Sequence, residues 1–220
     1  MSLEKIIKQT GDNPQLAIIW MHGLGADGND FAPVVPQFNI PDFPIKFIFP
    51  HAPKIPVTIN GGMVMRAWYD ILAMDINSRA DVQGVLKSEK LIHELIDEQL
   101  EAGFKYNQIV LAGFSQGAAM SLHTSINLTE KLAGIIALSG YLPIPHLLQD
   151  KPNEMNKSTP IFMGHGTQDP VVPYTLGESS RDALLAAGYA PKWHHYPIQH
   201  GVSMEEITDI KQWIIDNLKN

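Results

Sequence analysis

The stretch QIVLAGFSQGAAMSL, residues 108–122, decides the fold class of this chain. An aliphatic, β-branched run ends at Gly113, the turn Gly113-Phe114-Ser115-Gln116-Gly117 follows, and a helical segment of small residues begins at once. A serine at the centre of G-x-S-x-G on a strand-to-helix turn stands clear of the backbone, and the flanking glycines leave room for it. The positive end of the helix also lies beneath any negative charge that forms there. The pattern predicts Ser115 as a nucleophile; the alternative is a tight turn without chemistry.

Outward from this turn, short apolar runs alternate with segments of helical period. This alternation is typical of a mainly parallel sheet with helices on both faces. The chain has 220 residues, of which 45% are hydrophobic, so we expect one domain over residues 1–220 with one large core. The predicted strands are Leu16–Met21, Ile45–Pro50, Gln108–Gly113, Ala133–Ser139, Pro160–Gly164 and Pro191–Tyr196, and the predicted helices are Asp81–Ala102, Ser115–Ile126, Gly177–Ala187 and Ser203–Leu218.

A serine hydroxyl needs a base at neutral pH, and the base needs an orienting carboxylate. In a strand–turn–helix architecture of this kind, the acid and the histidine follow the serine in that order, each on a later loop. Asp169 stands in a Gly/Pro-bounded loop after one predicted strand, and His200 stands on the loop before the last helix. The alternative for Asp169 is a turn-forming residue before proline. The sequence therefore predicts a Ser115–Asp169–His200 triad.

Nine histidines are present, so His200 has competitors. His194 and His195 lie inside a predicted strand, and His165 precedes Asp169, which breaks the expected order. Most of the others lie in predicted helices or in loops without a matching motif. His200 fits the loop position, the chain order and the neighbouring helix.

The turn after the first predicted strand, Met21-His22-Gly23-Leu24-Gly25-Ala26-Asp27-Gly28, is rich in glycine. Preorganised backbone N–H donors in such a turn stabilise a developing alkoxide, and each is worth about 10²–10³ in rate. We expect the amides of Leu24 and Gln116 to form this oxyanion hole, with His22 bracing the loop. The alternative, a phosphate-binding loop, does not fit the G-x-G-x-x-G or G-x-x-x-x-G-K-[ST] spacing.

Composition excludes several classes of protein. The chain has no cysteine, which removes disulfide frameworks, thiolate metal sites and a cysteine nucleophile. Its 16 Lys and Arg against 23 Asp and Glu give a formal net charge of −7, whereas nucleic-acid binding needs clustered basic residues. No apolar run reaches the roughly 18 residues of a membrane span, and the charged N-terminal segment lacks the apolar core of a signal peptide. We expect a soluble cytoplasmic protein that does not bind nucleic acid.

Motifs beyond the triad match one family along nearly the whole chain. They are His22-Gly23-Leu24-Gly25, Phe49-Pro50-His51-Ala52-Pro53, Trp68-Tyr69-Asp70-Ile71, Leu138-Ser139-Gly140-Tyr141-Leu142-Pro143, Gly164-His165-Gly166 with Asp169-Pro170-Val171-Val172-Pro173, and His200-Gly201. On these the chain resembles the carboxylesterase/acyl-protein thioesterase (phospholipase/carboxylesterase) family of α/β-hydrolases. The resemblance implies an α/β-hydrolase fold without a large separate lid. It also implies hydrolysis of small esters, lysophospholipids or acylated proteins through an acyl-enzyme, without a metal or another cofactor.

Hydrophobic loops shape the acyl site in such enzymes, and by resemblance the substrate-binding candidates are Trp68, Leu72, Met74 and Val172. The chain departs from the family pattern at Arg66-Ala67, where Pro-Ser is expected. Loss of the proline releases a fixed φ, and the arginine adds a positive charge beside the site.

Other functions share parts of these patterns. A serine-triad acyltransferase or peptidase uses the same residues, whereas a non-catalytic binding module would be expected to lack a triad member. The apolar loops also indicate contact with a membrane surface. Because the chain is acidic, such contact would be hydrophobic and transient.

Overall fold

A computed structural model describes residues 3–73, 81–150 and 154–219 of the chain. The strands in these ranges are β1 (Lys5–Gln9), β2 (Leu16–Met21), β3 (Ile45–Pro50), β4 (Lys54–Val57), β5 (Met63–Arg66), β6 (Ile109–Phe114), β7 (Gly134–Leu138), β8 (Ile161–Gly166) and β9 (Pro191–Tyr196). A seven-stranded sheet has the order β1-β3-β2-β6-β7-β8-β9. Strand β1 runs antiparallel to β3 and the remaining pairs are parallel. Strands β4 and β5 form a separate antiparallel hairpin.

Helices cover both faces of this sheet. Strand β2 shows why, because its successive side chains alternate between two apolar layers. Ala17, Ile19 and Met21 pack in the layer that α1 (Val82–Glu101) and α2 (Gln116–Asn127) cover. Leu16, Ile18 and Trp20 pack in the layer that α5 (Met204–Leu218) covers. The mainly parallel sheet with helices on both faces is therefore confirmed. The helices are α1 (Val82–Glu101), α2 (Gln116–Asn127), α3 (Leu147–Asp150), α4 (Tyr174–Ala186) and α5 (Met204–Leu218).

Helix α1 is the clearest amphipathic element. Its buried residues include Val85, Ile92, Leu95 and Ile96, which recur at helical spacing on one face. The helix ends at Glu101, and Gly103 follows with φ 97° and donates its N–H to the Leu100 carbonyl in the last turn. Within the described ranges, no helix is long and apolar enough to cross a membrane.

All six predicted strands are present, with ends within two residues of the predicted ones. The four predicted helices are also present, but α4 begins at Tyr174, three residues before the predicted start at Gly177. Its cap is Pro173, whose carbonyl accepts the Leu176 N–H at 2.8 Å. Proline suits this position because the first N–H groups of a helix have no partner within the helix.

Strand β1 and the β4–β5 hairpin have no predicted counterpart. Strand β1 (KIIKQ) adds to the sheet edge without an alternating apolar pattern, so its pairing with β3 leaves no periodic signal in the sequence. The β4–β5 hairpin lies in a Pro- and Gly-rich segment, and its two strands are joined by a turn in which Gly61 and Gly62 both have positive φ.

Candidate active site

Ser115 occupies the turn between β6 and α2 in a conformation that few non-glycine residues adopt, with φ 55° and ψ −116°. The turn is so tight that a Cβ at Gly113 would lie 2.2 Å from the carbonyl of Gly117. The Ser115 N–H donates to the carbonyl of Leu138 at 2.8 Å, so the neighbouring strand holds this serine in the strained geometry. Strain of this kind persists only where the surroundings impose it.

The structure brings the three predicted triad side chains together from three different strand ends. His200 Nε2 lies 2.9 Å from Ser115 Oγ, and His200 Nδ1 lies 2.6 Å from Asp169 Oδ2. Ser115 follows β6, Asp169 follows β8 and His200 follows β9. The imidazole also packs on Phe114, with ring centroids 4.7 Å apart. These contacts form a continuous hydrogen-bonded relay from carboxylate to hydroxyl.

The Asp169 carboxylate uses both of its oxygens. Oδ1 accepts the N–H groups of Val171 and Val172, at 2.8 and 2.9 Å, while Oδ2 faces His200. Burial by itself would raise the pKa of Asp169. The hydrogen bonds from His200, Val172 and Val171 outweigh burial and hold this pKa below its ordinary value. The acid therefore remains ionised and correctly oriented near neutral pH.

The acid loop and the base loop are in contact. The Gln168 N–H donates to the carbonyl of Ile198 at 3.1 Å. A Cβ at Gly166 would lie 2.4 Å from the carbonyl oxygen of Gln199, so only glycine fits at this position. This contact sets the separation between Asp169 and His200.

The predicted oxyanion loop lies directly beside the nucleophile. A Cβ at Gly23 would be 3.4 Å from Ser115 Cβ, and one at Gly117 would collide with the carbonyl of Met21 at 2.2 Å. Among the residues that the structure describes, the backbone N–H groups of Leu24 and Gln116 have no hydrogen-bond acceptor. Two unpaired donors beside a nucleophile can receive a developing negative charge.

Two polar side chains near this loop make buried hydrogen bonds, one set of them unforeseen from the sequence. His22 accepts the Ala52 N–H on Nε2 at 3.0 Å and donates from Nδ1 to the Gly23 carbonyl at 2.7 Å. Burial lowers the pKa of His22, so the ring stays neutral in this arrangement. The Gln116 side chain accepts the Trp68 N–H at 2.8 Å and donates to the Tyr69 carbonyl at 2.7 Å. The motif identified the backbone of Gln116, but no local signal indicated the partners of its side chain.

The four predicted substrate-binding residues have different surroundings. Trp68 is only 2% exposed and donates from Nε1 to the His22 carbonyl at 3.0 Å, so its indole braces the oxyanion loop from behind. Val172 is also buried, in the turn that holds Asp169. Leu72 is 49% exposed at the surface. Met74 lies outside the described residues.

The β4–β5 hairpin borders the oxyanion loop, because the Gly25 N–H donates to the carbonyl of Arg66 at 2.9 Å. The arginine that replaces the expected proline turns its guanidinium to the Ala52 carbonyl, 2.8 Å from Nη1. It is also 3.7 Å from the Glu4 carboxylate. Its charge therefore serves to attach the hairpin to the sheet edge. In the part of the chain covered by the structure, no three His, Cys, Asp or Glu side chains are placed to hold a metal ion.

A strained serine on a strand-to-helix turn, a His–Asp relay and two unpaired amides define a serine hydrolase with the α/β-hydrolase fold. Residues 3–218 match the family described as Phospholipase/Carboxylesterase, and the chain belongs to this family. The acyl-protein thioesterase 1 of Neurospora crassa is 43% identical over 212 residues, which cover 91% of this chain and 86% of that protein.

Solved structures agree with this assignment. SOBER1 of Arabidopsis thaliana has a TM-score of 0.86 at 33% identity and covers 92% of this chain and 99% of its own. Acyl-protein thioesterase 2 of Zea mays has a TM-score of 0.85 at 26% identity and covers 98% of this chain and 99% of its own. The resemblance, the fold class and the enzyme class predicted from the sequence are thereby confirmed.

Proposed function

We propose that this protein hydrolyses carboxylic esters and acyl thioesters through an acyl-enzyme on Ser115. The observation that carries the proposal is the relay in which His200 lies 2.9 Å from Ser115 Oγ and 2.6 Å from Asp169. Similarity to proteins named acyl-protein thioesterases supports the thioester part, with an acylated protein as substrate. The family description Phospholipase/Carboxylesterase supports the ester part, with a lysophospholipid as a candidate substrate.

In the proposed mechanism, His200 Nε2 takes the Ser115 proton as Oγ attacks the acyl carbonyl carbon. The Leu24 and Gln116 amides donate to the oxyanion, and Asp169 stabilises the imidazolium. The alcohol or thiol leaves with the proton from His200. A water molecule, deprotonated by His200, then attacks the acyl carbon, and the acid departs as Ser115 regains its proton.

The nucleophile is tested with Ser115→Ala and with a matched serine on the helix that follows it, Ser125→Ala. Ser125 is buried, and within the described residues its hydroxyl has no hydrogen-bond partner. We expect Ser115→Ala to abolish p-nitrophenyl ester hydrolysis and fluorophosphonate labelling, and Ser125→Ala to retain both. Undiminished labelling of Ser115→Ala would refute the assignment.

The substrate class is tested with an acyl-chain series from about C2 to C16, with esters and thioesters compared by kcat/KM. We propose that Leu72, together with Met74, contacts the acyl chain, while Trp68 and Val172 support the site from behind. Optimal activity on long-chain thioesters is the expected result. A preference confined to short esters would instead assign a small-ester hydrolase.

We also propose that the β4–β5 hairpin, which borders the predicted oxyanion loop, touches lipid transiently. Met63 and Val64 on β5 are 64% and 63% exposed, although both are apolar. With a formal net charge of −7, the chain gains nothing from anionic headgroups, so the contact is hydrophobic. Met63→Ser with Val64→Ser is expected to reduce sedimentation with phosphatidylcholine vesicles, whereas Leu185→Ser, an exposed leucine on α4, leaves it unchanged. Equal sedimentation of all three proteins would contradict the proposal.

We further propose a single domain and a cytoplasmic location. The sheet extends without interruption from β1 near one terminus to β9 near the other, which supports one folding unit. The cysteine-free composition is compatible with a reducing compartment. One cooperative unfolding transition and recovery in the cytosolic fraction are the expected results.

A further inference from the structure

His165 lies near the end of β8, is 1% exposed and has no role in the mechanism proposed above. Its ring packs against Trp193, with ring centroids 6.0 Å apart. It also lies nearly perpendicular to the ring of Tyr174, with centroids 5.9 Å apart. On α4, a Cβ at Gly177 would lie 2.5 Å from His165 Nδ1. These neighbours leave the imidazole a single orientation.

In this orientation His165 makes one directed hydrogen bond. Nε2 lies 2.9 Å from the carbonyl oxygen of Val172. Because a carbonyl only accepts, Nε2 must carry the proton. The same nitrogen is 3.6 Å from Asp169 Oδ2, beyond hydrogen-bond distance. Burial lowers the pKa of His165 despite this carboxylate, so the ring acts as a neutral donor.

Val172 is consequently held at both ends of its backbone. Its N–H donates to Asp169 Oδ1 at 2.9 Å, and its carbonyl accepts from His165 at 2.9 Å. Asp169 Oδ2, on the other side of the same carboxylate, accepts from His200 Nδ1. A displacement of the Val172 backbone would therefore rotate the carboxylate away from His200.

We propose that His165 is a positioning residue, which holds the Asp169 carboxylate in place for His200 by anchoring Val172 to the end of β8. The inference rests on the proposed function, because it assigns His165 a part in the Ser115 reaction. It differs from a general packing role in that the effect must pass through Asp169.

The first test compares His165→Phe, which keeps a ring but removes the donor, with His165→Gln, whose amide nitrogen reaches about as far as Nε2. Misplacement of a catalytic group by about 1 Å costs about 100-fold. We therefore expect kcat on a p-nitrophenyl ester to fall about 100-fold in His165→Phe with KM nearly unchanged, and His165→Gln to regain most of the loss. His195→Phe is the control, because His195 is exposed and lies beside His165 in the β8–β9 pairing.

A further readout distinguishes positioning from packing. On an Asp169→Asn background, His165→Phe should cause no additional loss of kcat. Wild-type kcat in His165→Phe, or losses that multiply in the double variant, would overturn the inference.

If His165→Phe does not fold, His165→Gln and His165→Asn decide the matter, since both carry an amide and only glutamine reaches Val172. Equal kcat in these two variants would then overturn the inference. Wild-type protein that hydrolyses neither esters nor thioesters would refute the proposed function itself, which separates the two failures.

Discussion

The two sides of the candidate active site differ in their contacts. The acid–base side consists of the loops that hold Asp169 and His200, and the hairpin side consists of β5 and Leu72. On the acid–base side, Asp169 accepts three hydrogen bonds, and its loop touches the His200 loop directly. On the hairpin side, β5 presents Met63 and Val64 to solvent, and Leu72 is half exposed nearby in the chain. The buried, multiply bonded side suits chemistry that needs fixed geometry, whereas the exposed apolar side suits variable acyl chains.

The largest effect should follow from breaking the acid–base side at its carboxylate. Asp169→Asn preserves shape but cannot stabilise the imidazolium in the same way, so kcat should fall by about 10⁴. Asp182→Asn, on the exposed face of α4, is the control and should match wild type in ester hydrolysis. A loss of less than about tenfold would mean that this side is less constrained than its hydrogen bonds indicate.

The next effect concerns Glu206, which lies on α5 just after the base loop and is 0% exposed. Among the described residues its carboxyl oxygens have no hydrogen-bond partner. Burial, helped by the charge of Asp209, raises the pKa of Glu206 to about 8, although the nearby backbone amide of Ser203 acts in the opposite direction. The folded protein thus binds a proton that the unfolded chain releases near pH 4.5, and stability should fall as pH rises from there to about 8.

Glu206→Gln removes this titration, so its unfolding free energy should decline less between pH 5 and pH 9 than that of wild type. The difference is on the order of 4 kcal/mol, since each pKa unit corresponds to about 1.4 kcal/mol. Urea denaturation at several pH values measures it, with the exposed neighbour in Glu205→Gln as control. Parallel pH dependence in Glu206→Gln and wild type would contradict the prediction.

Gln116 joins the two sides, because its side chain ties the Trp68–Tyr69 segment to the nucleophile helix. Gln116→Ala removes both of these buried hydrogen bonds, and should lower the unfolding free energy by about 2–4 kcal/mol. Gln99→Ala is the matched control, since among the described residues the side chain of that buried glutamine donates only to Leu95 of its own helix, at 3.3 Å. If the two variants lose the same stability, the sides are not coupled through Gln116.

The smallest effect is expected on the hairpin side. Leu72→Ser should raise KM for a C16 thioester by about threefold to tenfold, because partial burial of one leucine side chain is worth about 1 kcal/mol. We expect kcat and melting temperature to stay unchanged. Ile7→Ser on β1 is a control of equal 49% exposure and should not alter KM. A large loss of kcat in Leu72→Ser would place this residue in the fixed machinery instead.

Prediction from sequence was most specific where a function imposes a local pattern. The G-x-S-x-G turn needs small residues on both sides of Ser115, and the chain order of acid and base follows from the parallel sheet. Ser203 and Glu206, three residues apart at the start of α5, have the spacing of a capping box, but the structure forms only half of that motif. Ser203 Oγ accepts the Glu206 N–H at 3.1 Å, but the Glu206 carboxyl turns inward toward Gly164 and does not return to the cap.

The sequence by itself determined the fold class, the strand order along the chain and the residues expected to form the triad, because these depend on periodicity and short motifs. The tertiary structure decided the β4–β5 hairpin, the clamp from Gln116 to Trp68, and the contact between His165 and Val172. Each of these depends on packing or hydrogen bonds that produce no periodic pattern in the sequence. The residues that make these contacts can be identified only after the sheet has brought the strand ends together at one edge.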